Sequence, residues 1–262
     1  MAYEDPLVLR TDRADGLSTL TLNRPGQFNS LSKEMLTALQ AELDAIAADE
    51  RVRVVLVAGA GKAFCAGHDL KEMRANPSAE FMQVLFRQCG KLMLSITRMP
   101  QPVIARVHGI ATAAGCQLVS MCDLAVAADG AKFAVSGINV GLFCSTPAVG
   151  LARNLGRKAA LEMLLTGDFI DAMEAKSKGL VNRVVPADAL DAEIERLVQS
   201  ILAKSAVAVR MGKDMFYKQL EMGLAEAYDF AAGVMACNMM SDDAGEGIDA
   251  FMQKRKPEYT GR

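Results

Sequence analysis

Histidine is nearly missing from this 262-residue chain: His68 and His108 are the whole supply. That excludes a three-histidine metal site and leaves a Ser-His-Asp triad only these two bases to draw on. A structural role is the ordinary expectation for each. The six cysteines (Cys65, Cys89, Cys116, Cys122, Cys144 and Cys237) never fall in C-x-x-C spacing, so the pattern reads as reduced, mostly buried thiols rather than a zinc site or a disulfide frame. No long basic run occurs and the formal net charge is −2, so the electrostatic footprint of a nucleic-acid binder is missing. No uninterrupted stretch approaches the ~20 apolar residues of a membrane span. The opening sixteen residues, MAYEDPLVLRTDRADG, lack a basic flank followed by an apolar core, and from this a cytoplasmic location is expected.

What is present suits a globular α/β protein. Hydrophobic residues make up 51% and charged residues 23%, enough for one large core or two modest ones. Residues 7–12 and 17–22 alternate around Asp15-Gly16, the signal for a hairpin. After Ser32, a plausible N-cap, Met35, Leu36, Leu39, Leu43 and Ile46 recur at helical spacing. The spacing then predicts a buried strand at 52–59, a loop at 61–73 entering a short helix near Asp69, a helix over 79–97, a strand at 102–107 and a helix over 115–122. Short strands at 124–128 and 132–135 follow. From about 147 the pattern is helical, with Gly179 closing one helix, a last strand at 180–186, and three or four further helices to Pro257. The many methionines of that tail read as core and subunit-interface residues.

Residues 107–150 stand out because Ala111, Ala113, Ala114 and Gly115 sit between a strand-like run and a helix start. Such a turn presents main-chain N–H groups at a helix N-terminus, where a developing negative charge is stabilised. Small residues there equally serve close packing of a helix on a sheet.

Taken in order, several segments resemble one family. L-N-R-P-x3-N-S-L (22–31), G-K-A-F-C-A-G-H-D-L (61–70), H-G-x-A-x2-A-G-C-Q-L (108–118), C-D-L-A-V-A (122–127), L-T-G (165–167) and A-x3-G-L-V-N-x-V-V-P (175–186) are similar to the enoyl-CoA hydratase/isomerase, or crotonase, superfamily. The likeness covers nearly the whole chain. It implies a ββα spiral core, here 1–200 with an acyl-CoA site, and a helical trimerisation region, 201–262, with trimers often pairing into hexamers. It implies a coenzyme A thioester as substrate or ligand, no permanently bound cofactor and no metal. The two N–H groups that bind the thioester oxygen map to His68 and Ala114. The loop containing Gln27 and Phe28 and the stretch Ala66, His68, Asp69 and Leu70 map to the coenzyme A surface, with the His68 imidazole on that side. Gly26 stands where relatives often carry lysine, so Arg24, Lys62 or a C-terminal basic residue of a neighbouring subunit is expected to replace that phosphate contact.

One departure bears on chemistry. The two glutamates that position and activate water in the family's hydratases fall at Gln117 and Gly137, and neither residue is an acid or a base. Cys144, Ser145 and Thr146 are the alternatives nearby and none is an obvious base, Cys144 acting only if its surroundings lower its pKa. Asp69 and Asp123 are expected to cap helices or pair with arginines. The reading is an acyl-CoA-binding protein with weak or absent hydration, either an enzyme of lyase or isomerase type in fatty acid metabolism or a non-catalytic acyl-CoA-binding or regulatory protein. RNA binding, known in one branch of the family, is disfavoured by the charge balance. Restoring Gln117→Glu and Gly137→Glu together is expected to raise hydration.

Overall fold

The structure, a computed structural model, describes residues 6–262; residues 1–5, part of the stretch from which location was read, lie outside it. The hairpin forms as its alternation predicts, β1 (Val8–Asp12) pairing antiparallel with β2 (Leu17–Leu22). Ser32 accepts from the Met35 N–H at the start of α1 (Lys33–Ala47).

Three turns of strand, strand and helix follow. The first holds β3 (Val54–Gly59), β4 (Ala63–Cys65), α2 (Leu70–Ala75) and α3 (Ala79–Arg98). The second holds β5 (Val103–Val107), β6 (Ile110–Thr112) and α4 (Ala114–Met121). The third holds β7 (Leu124–Ala128), β8 (Lys132–Ala134), α5 (Ser145–Asn154) and α6 (Arg157–Thr166). Then come β9 (Ile170–Asp171), α7 (Ala172–Ser177) and β10 (Arg183–Val185). Four helices end the chain: α8 (Leu190–Leu202), α9 (Ala206–Gln219), α10 (Leu224–Met239) and α11 (Asp242–Met252). Among the described residues no helix is long and apolar enough to cross a membrane.

Each turn of the spiral gives its first strand to a six-stranded sheet, ordered β1-β2-β3-β5-β7-β10, and its second to a four-stranded sheet, ordered β4-β6-β8-β9. Neighbours from β2 to β10 run parallel, the arrangement that long helical crossovers permit. Both faces of the large sheet are buried. Along β3, Val55 and Val57 join the main core with Leu36, Leu39, Leu92 and Ile96, while Val54 and Leu56 face a second cluster under Ile194, Leu197 and Val198 of α8. Each such side chain contributes roughly 1.5–3 kcal/mol by leaving water.

The small sheet departs from the sequence pattern. The stretch 61–73 reads as a loop, yet Ala63–Cys65 pairs with β6, and the two-residue β9 pairs with β8. Strands of two or three residues carry no measurable period. The strand expected over 180–186 shortens to Arg183–Val185, paired with Val126–Ala128 of β7.

Candidate active site

Two loops zip together to form one wall of the site. Asn29 holds the first, its Nδ2 donating to the carbonyls of Ala60 and Ala63 at 2.9 Å, and its Oδ1 accepting from the Arg24 N–H. The Ala66 N–H then donates to Phe28 O (3.0 Å), and the Leu31 N–H to Gly67 O (2.7 Å). In that bridge the neighbours of His68 bond to Leu31, so the His68 N–H faces the other way and, among the described residues, donates to no protein acceptor. Gly67 sits at φ +89°, and a Cβ there would also meet the Ala113 Cβ at 2.8 Å.

The other wall begins at Ala113, whose φ of 50° and ψ of −120° suit glycine rather than alanine, a strain of about 1–3 kcal/mol. It starts α4 at Ala114, whose N–H, at the first helical position, has no intrahelical acceptor. Close packing and a helix start without an intrahelical N–H acceptor thus fall at the same turn. A Cβ on Gly115 would stand 2.1 Å from the Cys65 carbonyl oxygen, so α4 rests directly on β4.

His68, Ala114, Ala66, Leu70, Gly137, Cys144 and Ser145 share a cavity of about 270 Å³. The His68 ring packs edge-on to Phe86 at 5.4 Å, and its Nδ1 lies 3.2 Å from Leu31 O. A carbonyl only accepts, so Nδ1 carries the proton and Nε2, buried, has no partner. Burial holds the His68 pKa below its ordinary 6.5, which keeps the ring neutral. Burial pushes the Cys144 thiol up, against a smaller opposing effect of the Gly137 backbone. The surroundings therefore do the reverse of what a cysteine base needs. Ser145 is exposed, its hydroxyl 3.4 Å from Phe143 O with no base beside it.

Gly137 is not in a left-handed conformation, but its space is closed. An added Cβ would lie 2.6 Å from Leu142 O and 2.7 Å from Cys144 Sγ, in a turn fastened by the Leu142 N–H to Gly137 O. This corrects the expectation that only a carboxylate is missing there. Gln117 is in a different place. It lines a neighbouring cavity of about 700 Å³ among α1, α3, α4 and α5, and Thr146 lines both.

Of the residues mapped to coenzyme A, Arg24 is held by Asp69 (2.7 Å) and Ser30 (3.2 Å). Asp69 also caps α2 through the Lys71 and Glu72 N–H groups. Burial raises its pKa, but Arg24 and those N–H groups outweigh burial and hold it low. Phe28 and Leu70 are 55% and 56% exposed, and Gln27 and Lys62 are exposed as well. Asp123 corrects its expectation: among the described residues it caps no helix and meets no arginine, and instead accepts from Lys213 Nζ (2.6 Å), Tyr217 OH (2.7 Å) and the Val103 N–H (2.6 Å). His108 has a structural partner, its Nε2 2.9 Å from Gly61 O. Phe86 was not legible as a site residue, because it fits the ordinary amphipathic pattern of α3; Thr146, which the sequence offered beside Cys144 and Ser145, lines the same cavity. Among the described residues no cluster of three or more His, Cys, Asp or Glu is placed to hold a metal ion.

A strand-strand-helix spiral carrying this turn is the hallmark of the enoyl-CoA hydratase/isomerase family, whose model matches residues 12–262; the chain belongs to that family. It is 44% identical over 256 residues to the mitochondrial enoyl-CoA hydratase domain-containing protein 3 of Mus musculus, covering 98% of this chain and 85% of that protein. The crystal structure of the human protein of that name matches with a TM-score of 0.93 at 44% identity, covering 97% of this chain and 100% of the other. A crystal structure of an enoyl-CoA hydratase from Mycobacterium smegmatis matches at 0.96 with 61% identity, covering 97% and 99%. The crotonase-like spiral expected from the sequence is thereby borne out. The cytoplasmic expectation is corrected, since these vertebrate relatives are named mitochondrial. Compartment is read from an address by a receptor, and the composition of a folded core does not carry it.

Proposed function

We propose that the chain binds acyl-CoA thioesters with the carbonyl oxygen between the His68 and Ala114 N–H groups, and that ordinary hydration of enoyl-CoA is lost. One observation carries the binding: two main-chain donors that have no protein acceptor among the described residues belong to residues lining one small, mostly apolar cavity. Each such donor contributes about 3 kcal/mol to a developing oxyanion or enolate. Hydration also needs an acid and a base, and losing each costs ~10²–10⁴-fold. Gln117 and Gly137 supply neither.

Phe28 and Leu70 offer exposed apolar surface to the adenine and pantetheine, with Arg24, Gln27, Lys62, Ala66 and Asp69 around them. The C-terminal helices leave Leu224, Tyr228, Met235, Met240 and Phe251 largely exposed, more apolar surface than a monomer ordinarily shows. A trimer or a pair of trimers covers it.

A non-catalytic acyl-CoA-binding role is the second reading. It is favoured by the small cavity's titratable side chains, His68 and Cys144, both of which burial holds uncharged. The test incubates the protein with enoyl-, dienoyl-, malonyl- and 3-hydroxyacyl-CoAs, measuring binding by calorimetry and conversion by mass spectrometry. Binding with conversion other than hydration supports a crotonase-type enzyme, and binding without conversion the second reading. No heat with any thioester at millimolar concentration overturns both.

A further inference from the structure

Helix α3 carries a row of cations that the protein itself does not neutralise. Arg87, Lys91 and Arg98 lie on this one helix, and at 3.6 residues per turn their spacing puts them within about 40° of one another on one face. All three are exposed, and among the described residues none enters an ion pair, whereas Arg24, Arg106 and Arg183 each meet a carboxylate. All three also line the cavity of about 700 Å³ among α1, α3, α4 and α5.

Behind that row the cavity is apolar. Its lining includes Leu43, Met93 and Met99, all buried, and the half-buried Met121. Methionine side chains adapt to the bends of a flexible chain. Leu94 and Val149, 46% and 52% exposed, continue the apolar surface outward to solvent. One carboxylate shares the lining with the three cations: Asp44, which accepts from Gln40 Nε2 at 2.7 Å. The positive excess that remains suits a singly charged anion.

We infer that this cavity is a site for a free long-chain carboxylate, with the tail among Leu43, Met93 and Met121 and the head at the surface beside Arg87, Lys91 and Arg98. Such a ligand is separate from the thioester. Its charged end lies at the outer face of α3, and it needs neither the His68 nor the Ala114 N–H, so the inference goes beyond the acyl-CoA reading and does not rest on it. Two independent effects select it. Each methylene that leaves water tightens binding, and the exposed cations attract an anionic head with a strength that salt screens.

Calorimetry with butyrate, decanoate and decyltrimethylammonium tests this on wild type, on Arg87→Gln/Lys91→Gln/Arg98→Gln and on Gly90→Leu. Wild type is expected to bind decanoate at least ~10-fold more tightly than either of the other two at low salt, and less tightly as salt rises. The triple variant changes only exposed positions and keeps good helix formers. It is expected to bind the two ten-carbon amphiphiles within ~3-fold of each other, because chain burial is kept and the charge preference is gone. Gly90 lines the cavity and a Cβ added there meets nothing within 4 Å, so Gly90→Leu places its side chain in the open space. That variant is expected to weaken decanoate at least ~10-fold without lowering the urea midpoint, since leucine is the better helix former. No saturable binding of decanoate at millimolar concentration overturns the inference, as does equal affinity of wild type for the two amphiphiles. An anion preference that survives the triple variant overturns the role of the α3 cations. Undiminished decanoate binding in Gly90→Leu overturns the placement in this cavity. Decanoate binding of the expected pattern in a protein that takes no acyl-CoA supports this site and overturns the thioester reading alone.

Discussion

At Gly137 an added Cβ would press on the Leu142 carbonyl oxygen at 2.6 Å, which is backbone and cannot swing aside. A glutamate there has to move the turn from Ser136 to Leu142 before its carboxylate can face a substrate, and such overpacking costs about 1–3 kcal/mol. The Gln117→Glu/Gly137→Glu double variant is therefore expected to unfold at lower urea than Gln117→Glu alone and to gain no hydration, measured by loss of enoyl absorbance. A folded double variant that hydrates crotonyl-CoA would show that the turn yields. His68 gives a second residue-level expectation. Its folded pKa lies below the ordinary 6.5 because of burial, so the unfolded chain takes up the proton first as pH falls. The stability this contributes is complete above about 6.5 and is lost as pH falls from there towards the folded pKa. Urea unfolding from pH 8 to 5 should show that decline, and His68→Leu, which keeps the main-chain N–H, should flatten it. An unchanged slope in the variant would reject the buried neutral ring.

Helix α9 is joined to the core by one buried cation. Lys213 Nζ donates to Ile96 O (2.8 Å), Gln101 O (2.7 Å) and Asp123 (2.6 Å), and Tyr217 reaches the same carboxylate one turn later. Lys213→Met leaves that carboxylate without its counter-charge, and a loss of about 3–5 kcal/mol in urea unfolding is expected; a change under ~1 kcal/mol would mean the pair is solvated. Elements were legible in the sequence where they were long. The helix behind Ser32 and the amphipathic α3 follow their apolar spacing, because 15 and 20 residues average out local exceptions, while buried strands of the large sheet such as β3 and β5 show as short apolar runs. Of the small sheet only β8, expected over 132–135, was legible, since β4, β6 and β9 are two or three residues long and owe their existence to pairing within the sheet. Nor was the Lys213–Asp123 contact, which joins residues ninety positions apart.

On the scale of the whole molecule, the order of motifs resembled one family, and the spiral followed from that resemblance. The division of the site into two cavities did not, because it depends on how far α3, α4 and α5 stand apart, a distance no local pattern encodes. The exposed apolar face, with Met240 and Phe251 each 85% exposed, predicts a solution mass three or six times that of the chain. Light scattering at micromolar concentration checks it, and a monomer would contradict it. The central claim is a thioester site without hydration chemistry. It is tested most directly by measuring crotonyl-CoA binding and crotonyl-CoA hydration on one wild-type preparation. Saturable binding is predicted, with a hydration rate at least ~10²-fold below that of a two-glutamate hydratase of the family assayed alongside; equal rates would contradict the account.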